Sequence, residues 1–586
     1  MILKYSFSII VLVLVSVNSI FSQEKINQDV RVVREYTPTV SDAYKVNQMP
    51  KVTDSITMRP KFNYRILSTS VSTNYEPSLI SPAKIQAKRK QLLMKSFVKG
   101  GVGNYGTFLG EIGYNILESE PFLLGLNIGH TSSFGELKLE NDETVKAPFN
   151  DTWANVGFKH FFNDLTLSVD LDFNHNMYRY YGLQTLDMEQ DYTVPGYLTP
   201  LSGSQLAHDD KQRLSSFDMS VGLKNNVIDN RKTAYDASIG FNAFSNLTGV
   251  SQKGFVIEGE LSHPLNNMFV NVDAKVESYR TSVPDSIGPM FHFTNRNITL
   301  IQATPSVSFD FDNARLKVGL FMAGIIDSEG DEFVVAPDIM GDLTVVEGIV
   351  SLYAGLNGRV NLNDYRSIMY ENPFVSPDYN VSASKYGLNI LAGIKGNFSS
   401  STSFSAGVEY SFFNNEHFYL NKPYVQGGNP GSSAFTGVNY TNVFMPVYDD
   451  GTLLKVEGEL LFRPKESIEL LLNGAYYGWS LDTQEEAWHK PEVKFGLDGR
   501  WELFEDLVLS GGIEYYGERK VLDFAPTTEM KTLSSIIDVH IGGQYYFSKQ
   551  WSFWANINNL AASKYYKWNG YPMQGLNAKA GILFSF

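Results

Sequence analysis

The sequence predicts an all-β chain: a transmembrane, antiparallel outer-membrane β-barrel of about 22 strands, preceded by an extended N-terminal periplasmic segment. Three observations predict it. From Ser96 onward the chain runs in stretches of about ten residues in which apolar and polar positions alternate. Very short connections alternate with longer ones, several rich in Gly, Asn, Asp and Pro. After the first 22 residues, no stretch approaches the roughly 20 continuous apolar residues a spanning helix needs.

Composition agrees with strands that are apolar on one face only. Hydrophobic residues make up 43% of the chain, yet mean hydropathy is −0.17, with 48 Gly and 33 Tyr. There is no Cys, which excludes disulfides and thiolate chemistry. The formal net charge of −15 lacks the basic footprint of a nucleic-acid binder.

Residues 1–22 carry Lys4, an apolar run from Ile9 to Val15, and the small Ser19 and Ser22 ahead of Gln23. That order is the expected pattern of a cleaved secretory signal, and without a following Cys it is not a lipoprotein leader. Residues 23–95 hold Pro38, Pro50, Pro60, Pro77 and Pro82 with little sustained periodicity, which favours an extended arm over a packed domain. Within it Val30, Val32, Val33 and Tyr36 form a β-prone patch. The patch has two readings: a docking strand for a periplasmic partner, or a short strand tucked against the barrel's own turns or inside its lumen.

The third segment, residues 96–586, is the barrel. Leu165, Leu167, Val169, Leu171 and Phe173 alternate with Thr166, Ser168, Asp170, Asp172 and Asn174. Val493, Phe495, Leu497 and Trp501 alternate with Lys494, Gly496, Asp498 and Arg500. A soluble sandwich also alternates, so the connections decide. Short turns at Asn163-Asp164, Asp312-Asn313, Glu505-Asp506 and three similar sites alternate with long loops near 132–148, 182–212, 280–296, 363–384, 414–451, 517–530 and 562–574. Sorting short and long connections onto opposite rims is the outer-membrane layout. Two places leave the count open: Pro337 argues against a strand over 331–345, and 414–451 has room for a further hairpin.

The last strand, LNAKAGILFSF, places Leu576, Ala578, Ala580, Ile582, Phe584 and Phe586 on one face and Asn577, Lys579, Gly581 and Ser585 on the other. It is expected to close the barrel against the strand at Ser96, because an open edge in hydrocarbon leaves backbone groups unpaired. The terminal aromatics Phe584 and Phe586 also resemble the signal read by the barrel-assembly machinery, an expected partner alongside outer-membrane lipids.

The stretch Asn556-Ile557-Asn558-Asn559-Leu560, then Lys564-Tyr565-Tyr566, Asn569-Gly570-Tyr571-Pro572, Gly575 and the final Gly581 to Phe586, resembles the C-terminal end of TonB-dependent outer-membrane receptors. The resemblance covers about 30 residues and implies a 22-strand receptor-type barrel. It departs from the family ahead of Ser96: only 73 residues lie between the leader and the barrel, so the folded plug domain of those receptors is not expected.

No catalytic constellation emerges. His160, His175, His208, His263, His292, His417 and His489 show no ligand spacing or pairing, and each reads as a rim or lumen residue. The acidic turn from Asp327 to Glu332 offers oxygen ligands for calcium, but its spacing fits a hydrated loop better. No cofactor is expected. Candidate lumen charges are Asp170, Asp172, Glu258, Glu260, Asp273, Lys494, Arg500 and Glu514, placed either to line a translocation path or simply to hydrate a wide interior. Aromatics near strand ends, among them Tyr178, Tyr180, Tyr181, Tyr476, Tyr565, Tyr566 and Trp568, read as interfacial girdles. Two functions follow. One is a barrel that passes a nutrient or other solute; the other is a non-transporting subunit of a secretion or assembly complex, with a periplasmic or surface lipoprotein as a possible partner.

Overall fold

The computed structural model describes residues 96–586 apart from 117–120, 141, 183–210, 227–231, 285–294, 377–378, 380, 425–438 and 523–529. The leader, the proline-containing arm and the patch of Val30, Val32, Val33 and Tyr36 lie outside the described residues.

In chain order the strands are β1 Ser96–Gly103, β2 Thr107–Ile116, β3 Phe122–Ser133, β4 Glu136–Lys138, β5 Thr144–Lys146, β6 Phe149–Phe161, β7 Leu165–Arg179, β8 Lys211–Asn225 and β9 Ala234–Asn246. Next come β10 Ser251–Leu265, β11 Met268–Ser282, β12 Arg296–Asp310, β13 Ala314–Asp327, β14 Glu332–Val346, β15 Val350–Asn363, β16 Ser382–Ser399, β17 Thr402–Tyr424, β18 Asn439–Lys465 and β19 Ile468–Leu481. The chain finishes with β20 Val493–Phe504, β21 Leu507–Tyr516, β22 Arg519–Leu522, β23 Met530–Leu533, β24 Ile536–Tyr546, β25 Trp551–Asn558, β26 Tyr566–Trp568, β27 Tyr571–Pro572 and β28 Asn577–Ser585. Among the described residues the one helix, α1 Tyr365–Glu371, lies between β15 and β16.

Twenty-two of these strands form one antiparallel sheet, and β4–β5, β22–β23 and β26–β27 are small hairpins in the loops. The sheet closes where β28 pairs with β1, from Phe97 opposite Ser585 to Gly103 opposite Lys579. The expected closing strand and strand count both match. Closure leaves no free edge, which is what hydrocarbon demands of a β structure.

The period-2 pattern sets the two faces. Phe255, Ile257 and Leu261 on β10 are exposed on the outer wall, whereas the intervening Glu258 meets Lys275 of β11 across the lumen face at 3.0 Å. Exposed Phe161, Phe311, Phe504, Phe547 and Phe586 cluster at the turn end of the wall, the rim that also carries both ends of the barrel, as a membrane-interface girdle does.

In both open places the described residues are strand. Pro337 sits within β14 opposite Leu320, and the ladder from β14 to β15 begins only at Ile339, so the missing N–H breaks no bond on that side. Residues 414–424 and 439–451 are an outward extension of β17 and β18, with register shifts between Phe413 and Glu416 and between Asn421 and Pro423.

Candidate functional site: a segment that crosses the bore

The loop from β15 to β16 does not stay on the rim. Asp364 caps α1 by accepting from the Ser367 amide at 2.9 Å, and the Ser367 hydroxyl donates back to the Asp364 carbonyl at 2.8 Å. Tyr365, Ile368 and Met369, at helical i, i+3 and i+4 spacing, are buried on one face of this short helix. At Asn372 the chain leaves the helix and its amide donates to the Ile368 carbonyl at 2.9 Å; the Asn372 side chain then accepts from the Phe374 amide at 3.0 Å.

One side of this segment is held by β7 to β10. Tyr178 and Tyr180 donate to the carbonyls of Pro373 and Val375 at 2.5 and 3.1 Å, Tyr370 pairs with Ser216 at 2.9 Å, and Arg366 forms an ion pair with Asp218. The Asn246 amide nitrogen donates to Tyr365 Oη at 3.2 Å. The other side is held by β17, β18 and the β19–β20 loop. Glu371 accepts from Tyr419 at 2.8 Å, pairs with His417 at 2.7 Å, and forms a salt bridge with Lys490 at 2.9 Å. Val375 bridges Phe444 in parallel: the Ser376 amide donates to the Phe444 carbonyl at 2.7 Å and the Phe444 amide to the Phe374 carbonyl at 2.9 Å. In the wall, β7 is the fifth strand and β18 the sixteenth, half the circumference of a 22-strand ring apart. A segment touching both spans the bore.

The β25–β28 loop folds onto this crossing. Tyr571 stacks on Phe374 with ring centres 3.6 Å apart, Tyr181 meets both rings edge-on, and Tyr181 donates to the Pro572 carbonyl at 3.0 Å. Tyr365 stacks on Tyr379 at 4.8 Å. Together these residues make an aromatic core inside the loop end of the barrel, in which Tyr180, Tyr365, Val375, Tyr419, Phe444 and Tyr571 are fully buried. The expectation that Tyr178, Tyr180, Tyr181 and Trp568 belong to a girdle is therefore corrected. They point into this core, because an inward-folded loop gives them an apolar partner within the lumen. Tyr476, exposed on the outer wall, fits the girdle reading.

His489 joins the pieces. Its Nδ1 donates to the Tyr419 carbonyl at 2.8 Å, its Nε2 accepts from the Asn569 amide at 3.5 Å, and its ring lies between Phe444 and Trp568. One donor and one acceptor define a neutral imidazole. Burial pushes its pKa down to about 3, only partly opposed by the bond to Tyr419. Burial alone would raise the Glu371 carboxyl, but the Lys490 ammonium and His417 outweigh it and hold it well below the usual range. Lys490 is raised: burial would lower it, and Glu371 reverses that. Sequence reasoning missed this assembly because its members come from strands and connections widely separated along the chain. The one local signal was Asp364 with Ser367 ahead of an apolar i, i+3, i+4 set.

The sequence-derived charges lie on the lumen face without forming one cluster. Asp172 accepts from Asn155, and Asp170 sits opposite Gly157. Glu260 is opposite Asp273, which itself lies 3.6 Å from Lys317. Lys494 stands over the Tyr477 ring at 5.4 Å, Arg500 is 3.7 Å from Glu502, and Glu514 lies opposite Asp538. Phe584 packs between Trp551 and Phe586 on the outer wall. The acidic turn after β13 is neutralised in part by Arg296, which pairs with Asp327 and lies 3.1 Å from Glu329. Among the described residues no group of three or more His, Asp or Glu is arranged to hold a metal.

No family model and no curated protein matches this chain. Solved structures do. The pyoverdine outer membrane receptor FpvA from Pseudomonas aeruginosa, bound to pyoverdine, is 11% identical with a TM-score of 0.59, over 84% of this chain and 78% of that one. The ferric enterobactin receptor PfeA of the same organism, a mutant in complex with enterobactin, is 13% identical with a TM-score of 0.57, over 84% and 81%. FpvAI in complex with pyocin S2 is similar to the same degree, at 12% identity and a TM-score of 0.58 over 84% and 70%. At this identity the likeness is one of fold, and with the closed 22-strand wall it makes this chain a Gram-negative outer-membrane barrel of TonB-dependent-receptor-like architecture.

Proposed function

We propose that this barrel passes a nutrient or other solute across the outer membrane and that residues 364–376 are its gate. The observation that carries the reading is the crossing itself. A receptor-type wall encloses a bore, and a segment of one loop crosses it; in this reading its contacts are released at one edge, the Glu371 and Lys490 pair, while the β7 to β10 edge acts as hinge. Of the receptors it resembles in fold, one is bound to pyoverdine and another is in complex with enterobactin, which supports a solute as cargo without specifying which. Planar-bilayer recording tests this. Wild-type protein should conduct little, and Glu371→Gln or Lys490→Met should raise open probability. Variants shown by proteolysis to have released the segment, yet conducting no more than wild type, would sink the reading.

A second reading has its own support. The seat of the crossing is as completely buried as a protein core, which suits a barrel held permanently shut as a scaffold for a larger envelope machine. In that case the patch of Val30, Val32, Val33 and Tyr36 is a docking strand for a periplasmic or lipoprotein partner. Purification from the native membrane would then recover a stoichiometric partner that is lost when residues 23–56 are deleted.

A further inference from the structure

The outward face of β7 to β11 changes character toward the loop rim, which in an outer-membrane barrel lies at the outer leaflet. Lower on the wall it is apolar: Phe217, Phe255 and Ile257 are exposed, and Phe241 packs on Phe255 with ring centres 5.2 Å apart. Above them the same face turns basic. Lys211 and Arg213 on β8, Lys253 on β10 and Arg280 on β11 are all exposed, whereas the alternate positions Gln212, Leu214, Gln252 and Tyr279 are buried on the lumen side. Period-2 alternation therefore sets these four side chains outward. The outward positions of β7 to β11 hold no Asp or Glu.

Two cross-strand pairs leave this patch with unanswered charge. Lys253 lies directly opposite Arg280, and Lys211 directly opposite Arg179 of β7. Like charges in that relation repel. Cations on the lumen face are treated differently: Lys317 and Lys395 each meet a carboxylate, at 2.7 and 3.0 Å. None of Lys211, Arg213, Lys253 and Arg280 forms an ion pair among the described residues. At a membrane interface the missing counter-charge is supplied by anionic headgroups. The spacing narrows the choice. Ser215, Ser245 and Ser251 stand opposite one another in the ladder, with Arg213 two residues toward the loop rim on β8 and Lys253 two residues away from it on β10. At about 4.8 Å per strand and 3.3 Å per residue the two basic centres are roughly 16 Å apart, with the row of serines between them.

We propose that this patch binds one glycolipid of the outer leaflet that carries two phosphates. One phosphate sits between Lys253 and Arg280, the other at Lys211 and Arg213, and the sugar lies over the three serines. The acyl chains then run down the wall along Phe217, Phe241 and Phe255. The site is on the outside of the barrel, and it stands whether or not the crossing segment opens.

Native mass spectrometry of the full-length protein, delipidated in mild detergent, tests this with lipid A carrying two phosphates, one or none. The expected result is one retained molecule of the diphosphorylated form, preferred at least about tenfold over the phosphate-free form, since each interfacial Lys or Arg contributes a factor of about five. Lys253→Gln with Arg280→Gln should erase the preference for two phosphates over one, and so should Lys211→Gln with Arg213→Gln. All four substitutions together should bring the three lipids to the same weak retention. Lys465→Gln with Lys549→Gln, exposed at the opposite rim, should leave the preference intact. A heat-modifiable gel shift verifies that every variant forms the barrel. Retention that ignores phosphate number, or that survives all four substitutions, overturns the proposal. So does inorganic phosphate that displaces the lipid as well as the diphosphorylated lipid itself does, because the patch would then be a site for a free anion.

Discussion

Phe374 and Tyr571 stack face to face, ring centres 3.6 Å apart and planes 19° from parallel, although one belongs to the loop after β15 and the other to the loop before β28. The contact ties the crossing segment to the end of the chain. Phe374→Ala removes the ring from a packed aromatic site, and such truncations cost about 3–5 kcal/mol when fully buried. The expected result is a barrel that still assembles, with hydrogen exchange in residues 365–376 accelerated by orders of magnitude while the wall strands remain protected. Unchanged protection in that segment would show that the stack is dispensable.

At the opposite edge, Glu371 is the acceptor for three donors from two elements. Glu371→Gln keeps the shape and removes the charge, and hydrogen bonds to charged groups contribute about 1.5–3 kcal/mol. Local opening of the segment should become about tenfold or more easier by that measure. In a double-mutant cycle, Glu371→Gln and Lys490→Met should be non-additive, since each removes the same pair. Strict additivity would mean that the salt bridge contributes nothing to closure.

Acid should loosen the same site in two stages. The folded pKa of His489 lies below its ordinary 6.5, so the unfolded or opened state binds more protons between 6.5 and about 3. Stability contributed by the neutral ring is complete above 6.5 and falls as pH drops through that window. Geometry gives the reason: a second proton on Nε2 would face the Asn569 N–H. Glu371 is depressed from 4.5, so its contribution is lost only below that value. Between pH 6.5 and 4.5, then, His489→Gln should flatten the pH dependence of segment opening, read by proteolysis at Arg366. A slope that survives in His489→Gln would move the titrating group elsewhere.

The wall was legible in the sequence because a membrane β-barrel is written locally. Each strand must alternate and each turn at one rim must be short, so Leu165 to Phe173 and Val493 to Trp501 could be assigned faces from neighbours alone. Pro337 misled for an equally local reason: nothing in the sequence says where the ladder to β15 begins. The crossing segment was not legible because it depends on which strands stand opposite in a closed ring. Tyr178 and Tyr180 look like girdle residues until Pro373 and Val375 arrive from the far side. His489, with no ligand spacing around it, owes its role to Tyr419 and Asn569, both distant in sequence.

The two faces of one strand should respond oppositely to charge. Ile257 is half exposed on the outer wall, whereas its neighbour Glu258 faces the lumen beside Lys275. Ile257→Lys places an ammonium against lipid, at about 2–4 kcal/mol near the bilayer midplane, whereas Glu258→Gln stays in a hydrated interior. Urea titration of folded barrel in lipid vesicles should show a large loss for the first and a change of under about 1 kcal/mol for the second, as for an exposed ion pair. Equal losses would mean that the faces are misassigned.

The seam where the ring closes admits the least change. At Gly581 an added Cβ would come within 1.9 Å of the Gly100 carbonyl and 2.6 Å of the Gly101 Cα, both backbone atoms that cannot move without shifting β1. Gly101 is similarly covered by the Trp554 ring and the Ala580 carbonyl. Gly581→Val must therefore push β28 away from β1, and separated strands at this place leave ladder groups unpaired in hydrocarbon, each at several kcal/mol. The expected outcome is loss of the heat-modifiable folded band and degradation in the periplasm. Phe584→Ala, which alters only the outer face of the same strand, should reduce yield without abolishing closure. If Gly581→Val assembled at wild-type yield, the tight β1–β28 register would be wrong, and with it the place where the ring is sealed.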